Sequence, residues 1–419
     1  MDNPANTKND PYASLRLPEF NYYLIIRFAL VFALTMQFIV IEWKVNLLSN
    51  HDPFALGLIG LAEVIPAVLL APFAGHIVDK REKRGILLKC VIAYVIIGSG
   101  LFFLTWDKAV AGYDTHHILM AIYGLVFLGG IVRAFVSPAN FSLQSLIVPR
   151  TLYANASTWA SSAWQIGSMA GPALGGLLVY AIGVHWSMLL VVAVFLLPLF
   201  SLIMIKPKPV LYSAKGETFI DGLTKGMRFV WNTKVVLNAM ALDMFAVLFG
   251  GAVAMLPVFA SDVLHAGALE FGLLRSAVAV GSLVTMFILA YRPLVHKPGI
   301  KLLAAVFGFG ICIIIFGLSK NFYLSFFALL LSGTLDAISV IIRQTILQLK
   351  TPDEMRGRVA AVSSMFVGSS NELGAFESGF MARMMGLVPS VVFGGFVTLG
   401  VVVTTYIISP AMRKLDLKA

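Results

Sequence analysis

The chain has 419 residues, 59% of them hydrophobic and 12% charged, with a mean hydropathy of +0.88 and a formal charge of +10. Soluble domains carry about a quarter charged residues to cover their surface, so composition excludes a water-soluble globular enzyme. Apolar blocks long enough to cross roughly 30 Å of hydrocarbon recur along the chain, and the cations lie mostly in the loops between them, which removes the nucleic-acid reading of the positive charge.

The first twenty residues are polar and proline-bearing, and the apolar run that follows has no small-residue cleavage site, so it is expected to be a first span and not a removable signal. Hydrophobic blocks predict twelve spans, at 21–46, 54–77, 86–106, 117–137, 156–180, 186–205, 236–260, 268–291, 302–319, 322–346, 358–382 and 387–409. The expected fold is all-α, two six-helix bundles in a membrane. With the N-terminus inside, 23 of the 31 Lys and Arg fall on the inner side, four outside (Lys44, Lys108, Lys320, Arg383) and four within spans. The positive-inside rule then puts both termini in the cytoplasm, beside an anionic leaflet that such loops favour.

Residues 206–235 divide the chain into an N-terminal half (1–205) and a C-terminal half (236–419). This linker opens with Lys206, Pro207, Lys208 and Pro209, which cannot continue a helix. Phe219, Leu223, Met227 and Val230 then recur at helical spacing among Asp221, Lys225 and Arg228, as in an amphipathic helix at a membrane interface. Two parallel six-span halves are the arrangement of a large transporter class with its substrate site between the halves.

Three motifs carry chemistry. Between spans two and three stand Gly75, His76, Ile77, Val78, Asp79, Lys80, Arg81, Glu82, Lys83 and Arg84. Gly75 permits close helix approach, and Asp79 can accept charge-assisted hydrogen bonds from a helix terminus or an arginine, a contact suited to a latch that breaks on turnover. In span five, Gly167, Gly171, Pro172, Gly175 and Gly176 form GxxxGPxxGG. Glycines four apart let another backbone pack closely, and the proline removes a hydrogen bond. Before span eleven stand Leu347, Gln348, Leu349, Lys350, Thr351, Pro352, Asp353, Glu354, Met355, Arg356, Gly357 and Arg358.

The first of these resembles the signature loop of the major facilitator superfamily, although Glu82 stands where a second glycine is frequent. The second resembles the motif that the superfamily associates with proton-driven exporters. With the third, and with Arg27-Phe28 in span one, the chain is similar to the enterobactin-exporter-like branch. That resemblance implies proton antiport of a siderophore-like or drug-like amphipathic molecule out of the cell, through the inner membrane, by a protein that works as a monomer. An uptake symporter or a lysolipid transporter of the same fold is the alternative. A second loop of the signature type is missing: Tyr291, Arg292, Pro293, Leu294, Val295, His296, Lys297 and Pro298 hold no acidic residue.

Ionisable residues inside spans are costly and are functional candidates by default. Glu63 is deep in span two, and burial of an unpaired carboxyl favours its protonated form, which makes it the first choice for proton coupling; Glu372, Asp336 and Glu42 follow. Glu372 and Glu377, five apart, face different ways. Asp243 in span seven belongs to the same set. Arg133 and Arg343 occupy corresponding places toward the cytoplasmic ends of spans four and ten and are expected to bond carboxylates across each bundle. Asp336 and Arg343 are about 10 Å apart along one helix, too far for a direct pair. Gln37 and Asn371 are expected to face the substrate cavity.

No phosphate-binding loop occurs, so no nucleotide is expected as an energy source. Cys90 and Cys312 are isolated, which points to packing and not to zinc or a disulfide; no metal and no cofactor are expected. A channel would need a polar file or a filter, and a membrane enzyme a nucleophile with its base; His116-His117 supplies neither.

Overall fold

The computed structural model describes residues 12–209, 219–291, 297–352, 355–413 and 415. Among them every regular element is helical. In chain order the long helices are α1 (Pro18–Leu48), α2 (Pro53–Lys80), α3 (Lys83–Thr105), α4 (Thr115–Ile147), a run Tyr153–Met204 that holds two helices, and a linker helix (Phe219–Asn232). The second half comprises α7 (Lys234–Phe249), α8 (Ala268–Tyr291), α9 (Pro298–Leu318), α10 (Phe322–Lys350), α11 (Arg356–Met385) and α12 (Leu387–Ile408). The run Tyr153–Met204 breaks at Gly183, whose φ of 80° and ψ of 167° are outside the helical region, giving α5 (153–182) and α6 (184–204). Gly386, with φ 91°, makes the equivalent sharp turn between α11 and α12, and only a glycine adopts such backbone without strain.

Helix ends follow local chemistry. Prolines 18, 53 and 298 sit at first positions, where a missing N–H costs nothing. Asp52 accepts from the Phe54 amide at 2.9 Å, and Asn321 from Tyr323 and Leu324 at 2.9 and 3.2 Å. Ten described runs are long and apolar enough to span a membrane, one of them the α5–α6 pair. The remaining long helix, α11, is more polar because it carries Ser369, Ser370, Asn371, Glu372 and Glu377 within one stretch.

Two expected spans differ. The helix α4 runs on to Ile147 with Pro138 inside it, so Arg133 lies near its middle and not toward its cytoplasmic end. The span predicted at 236–260 is regular only to Phe249; it continues as a 3-10 turn, Gly251–Met255, and a wide turn, Phe259–Val263. Gly250 and Gly251 open that break, and Pro257 cannot donate to the preceding turn.

Lipid supplies little hydrophobic drive between helices, so close packing depends on small residues. Along α5, Gly167, Gly171 and Gly175 face α1. A Cβ on Gly167 would stand 2.8 Å from the Phe28 carbonyl, and one on Gly171 would strike Thr35 Oγ1 and stand 2.7 Å from the Phe32 carbonyl. The corresponding pair in the second half is α11 on α7, where Gly374 would meet the Val247 and Leu248 carbonyls at 2.9 Å. Pro172 stays inside a continuing helix, and the break falls at Gly183.

Named contacts between the halves lie toward the face away from the termini. Gly176 of α5 packs against Gly272 of α8, and Gly57 and Gly60 of α2 meet Phe376 and Glu372 of α11. Trp43 stacks on Phe271 at 5.0 Å, and Asn46 Nδ2 donates to Ser261 Oγ at 3.3 Å. The linker helix does not simply lie along a membrane surface. Val230 is buried with Val236, Met240, Val359 and Val362, while Trp231 is exposed, and Gly226 approaches the Arg358 carbonyl. Phe219, Leu223 and Asp221 are outside the described side chains.

Candidate functional site

A cavity of about 510 Å³ lies between the halves. The helices bring six ionisable side chains to its wall: Glu42 from α1, Glu63 from α2, Arg133 from α4, Arg275 from α8, Asp336 from α10 and Glu372 from α11. Phe38, Trp164, Pro172 and Phe309 supply apolar surface, which gives the site the mixed character of small-molecule pockets.

The centre of the site is Arg133. Its Nη1 donates to Glu63 Oε1 at 2.6 Å and to Glu372 Oε1 at 2.5 Å. One guanidinium thus ties a carboxylate of its own half to one of the other half. Charge-assisted bonds of this length are among the stronger polar contacts. Glu63 is therefore not the unpaired carboxyl that its apolar sequence neighbours suggest: two turns of sequence on either side are apolar, but Arg133 arrives from another helix.

The second half holds a comparable pair, Arg343 of α10 with Asp243 of α7, both buried. Asp336, seven residues from Arg343, turns toward the cavity and a smaller adjoining void. Glu372 lines the cavity and Glu377 is not among its lining residues. Asn371 lines it as well, its Nδ2 donating to the Val367 carbonyl at 3.1 Å. Gln37 does not face the main cavity. It opens on a side void of about 40 Å³ with Glu63 and Tyr94, because α1 turns Gln37 toward α3 while Leu34 and Phe38 face inward. Cys90 and Cys312 are buried packing residues.

Glu42 is 2% exposed, and its Oε2 is buried without a hydrogen-bond partner; Glu372 Oε2 is in the same condition. Arg275 donates to the Val253 carbonyl at 2.9 Å. Arg275 is a cavity residue that the sequence analysis does not single out. The signal was there, a single charge among Val, Ala and Leu, of the kind that picked out Arg133.

At the terminal side, Gly75 is buried near the end of α2 and Lys80 is exposed; the side chains of Asp79 and His76 are outside the described residues. Glu82 caps α3, accepting from the Arg84 and Gly85 amides at 3.2 and 2.7 Å, so the residue that departs from the usual glycine does structural work. Lys83 is buried and donates to the Val78 and Arg81 carbonyls. Arg84 Nε donates to the Leu202 carbonyl at 2.8 Å, at the end of α6, where cations are favoured. Glu19 pairs with Lys208 and accepts from the Lys206 amide, which ties the linker to α1. Among the described residues no His, Cys, Asp and Glu group is placed to hold a metal ion.

Two six-helix halves around a charged central cavity are the fold of major facilitator transporters, and a family model of that superfamily matches almost the whole chain. The chain belongs to the transmembrane secretion effector family, whose model matches residues 9–419. It is 25% identical over 384 residues to the enterobactin exporter EntS of Citrobacter koseri, covering 90% of this chain and 89% of that one. It is 26% identical over 385 residues, with the same coverage, to the EntS of Shigella boydii serotype 18. Among solved structures it resembles a D-xylose-proton symporter, with a TM-score of 0.71 at 13% identity over 97% of this chain and 100% of that one. It also resembles a bacterial homolog of the human lysosomal transporter Spinster in an inward-facing, unoccupied conformation, with a TM-score of 0.65 at 16% identity over 94% and 96%. At these identities the structures speak for the fold alone. Family and fold are those of transporters and not of enzymes.

Proposed function

We propose that the chain is a monomeric, proton-coupled exporter that moves a small amphipathic organic molecule across the inner membrane by alternating access, with both termini in the cytoplasm. The observation that carries this reading is Arg133 held between Glu63 of one half and Glu372 of the other.

With both carboxylates ionised, the triad ties α2 and α4 to α11 while the halves touch on the face away from the termini. A substrate entering from the terminal side competes with Arg133 for the carboxylates and loosens the tie. Once the cavity faces outward, protons neutralise the carboxylates and displace the substrate. The protonated form returns, loses its protons to the cytoplasm, and the triad reforms. Each step biases one of two arrangements through a contact made in only one of them. The EntS relatives, named as exporters, support the direction.

The test is reconstitution in liposomes with an imposed pH gradient, a panel of fluorescent amphipaths and a pH-sensitive dye. Glu63→Gln keeps size and hydrogen bonding but cannot titrate, and it is expected to bind substrate yet lose uphill transport and proton countermovement. If Glu63→Gln pumps at wild-type rate while Glu372→Gln or Asp336→Asn does not, coupling belongs to the second half. Transport indifferent to all three substitutions, or channel-like flux without a gradient, overturns the proposal.

A further inference from the structure

Resting on the transporter reading above, we infer that the cavity takes an organic cation, a protonated amine on an apolar or aromatic body, received by the carboxylates of Glu42 and Glu372 in its wall. The cavity wall holds four carboxylates, Glu42, Glu63, Asp336 and Glu372, against two guanidiniums, Arg133 and Arg275. Arg133 is engaged by Glu63 and Glu372. Arg275 lies within electrostatic range of Glu42 but donates to the Val253 carbonyl. The site therefore carries an excess of acid that an entering cation offsets and an entering anion aggravates.

The unmet hydrogen-bonding capacity has the same polarity. Glu42 and Glu372 both line the cavity, and each keeps one buried oxygen without a donor, so their carboxylates are incompletely satisfied, and a buried acceptor left unpaired is costly. A protonated amine carries up to three donors and no acceptor, so it satisfies such a site, whereas a carboxylate or sulfonate brings further acceptors. Phe38, Trp164 and Phe309 then face the body of the ligand, and aromatic faces favour a nearby cation. A cavity of about 510 Å³ is within the range that encloses drug-sized molecules.

The test is calorimetric binding to the purified chain in nanodiscs at pH 7.5, with three probes of one shape: 2-(1-naphthyl)ethylamine, 2-(1-naphthyl)ethanol and 3-(1-naphthyl)propionate. The amine is expected to bind about tenfold tighter than the alcohol, as one charge-assisted bond to a buried acceptor allows, and the carboxylate weakest. Glu42→Gln is expected to remove most of the preference for amine over alcohol while alcohol binding is kept, and Glu42→Asp to restore part of it. Equal or tighter binding of the carboxylate, or an undiminished amine preference in Glu42→Gln, overturns the inference. Should Glu42→Gln fail to fold, as judged by its melting profile, the order of the three probes on the unaltered chain decides alone. No pH gradient is present in this measurement, so its failure removes the cation assignment and leaves proton coupling to be judged by flux.

Discussion

At the scale of single residues, Arg133 illustrates what intramembrane charge requires. Glu63, Arg133 and Glu372 each stand out in the sequence because ionisable side chains in apolar spans are rare. Their partnership does not, since 70 and 239 positions separate the arginine from its two carboxylates. Removing one member leaves the others uncompensated. Breaking a fully buried pair costs about 3–5 kcal/mol, and because the Arg133 side chain is 41% exposed to the cavity, Arg133→Leu is expected to cost less, about 1–3 kcal/mol. It should lower the melting temperature of the purified protein and abolish gradient-driven transport. The triple neutral variant, Glu63→Gln with Arg133→Gln and Glu372→Gln, should recover the melting temperature without recovering transport. A triple variant that melts as low as Arg133→Leu would show that charge balance is not what the triad provides.

At the scale of elements, the span-five pattern was legible as a packing face and its partner was not. Hydrophobic periodicity cannot say which neighbour a glycine face receives; the structure puts α1 there, with Phe28, Phe32 and Thr35 against Gly167 and Gly171. Gly171→Leu is expected to force α1 and α5 apart, at the 1–3 kcal/mol or more typical of overpacking, and to reduce the folded fraction recovered from membranes. Gly124→Ala, at a glycine with nothing within 4 Å of an added Cβ, is the control and should leave yield unchanged. Fluorescence-detected size exclusion of both variants separates the two outcomes; equal monodisperse yields would refute the packing role. The break after Phe249 was not legible either, because Gly250, Gly251 and Pro257 stand in a stretch whose mean apolarity is that of an ordinary span.

At the scale of the whole molecule, alternating access requires that the contacts opposite the termini open and close. Asn46 of α1 and Ser261 after α7 belong to different halves and touch in the structure. Cysteines at both positions, with Cys90 and Cys312 replaced by alanine, are expected to cross-link on oxidation or with a short bis-thiol reagent. The link should stop transport and its reduction should restore it. Uninterrupted transport by the cross-linked protein would mean that this face does not part during turnover. The amphipathic linker segment also changes its meaning at this scale: the apolar stripe that sequence alone assigns to a membrane surface includes Val230, which packs against residues of α7 and α11.

The sequence by itself determined that the chain is a membrane protein of about twelve helices, that its class is a transporter of the major facilitator type, and which rare charged residues merit attention. Those are local quantities, a run of apolar residues long enough to cross a bilayer or a spacing within one loop or span. Only the tertiary structure decided that Arg133 joins the halves through Glu63 and Glu372, that Gln37 turns to a side void, that Arg343 takes Asp243, and that Arg275 faces the cavity with Glu42. The physical reason is that the lateral order and rotation of helices in lipid are set by small-residue contacts between distant segments and by the need of each buried charge for a partner, and neither is written in the hydropathy of any one span.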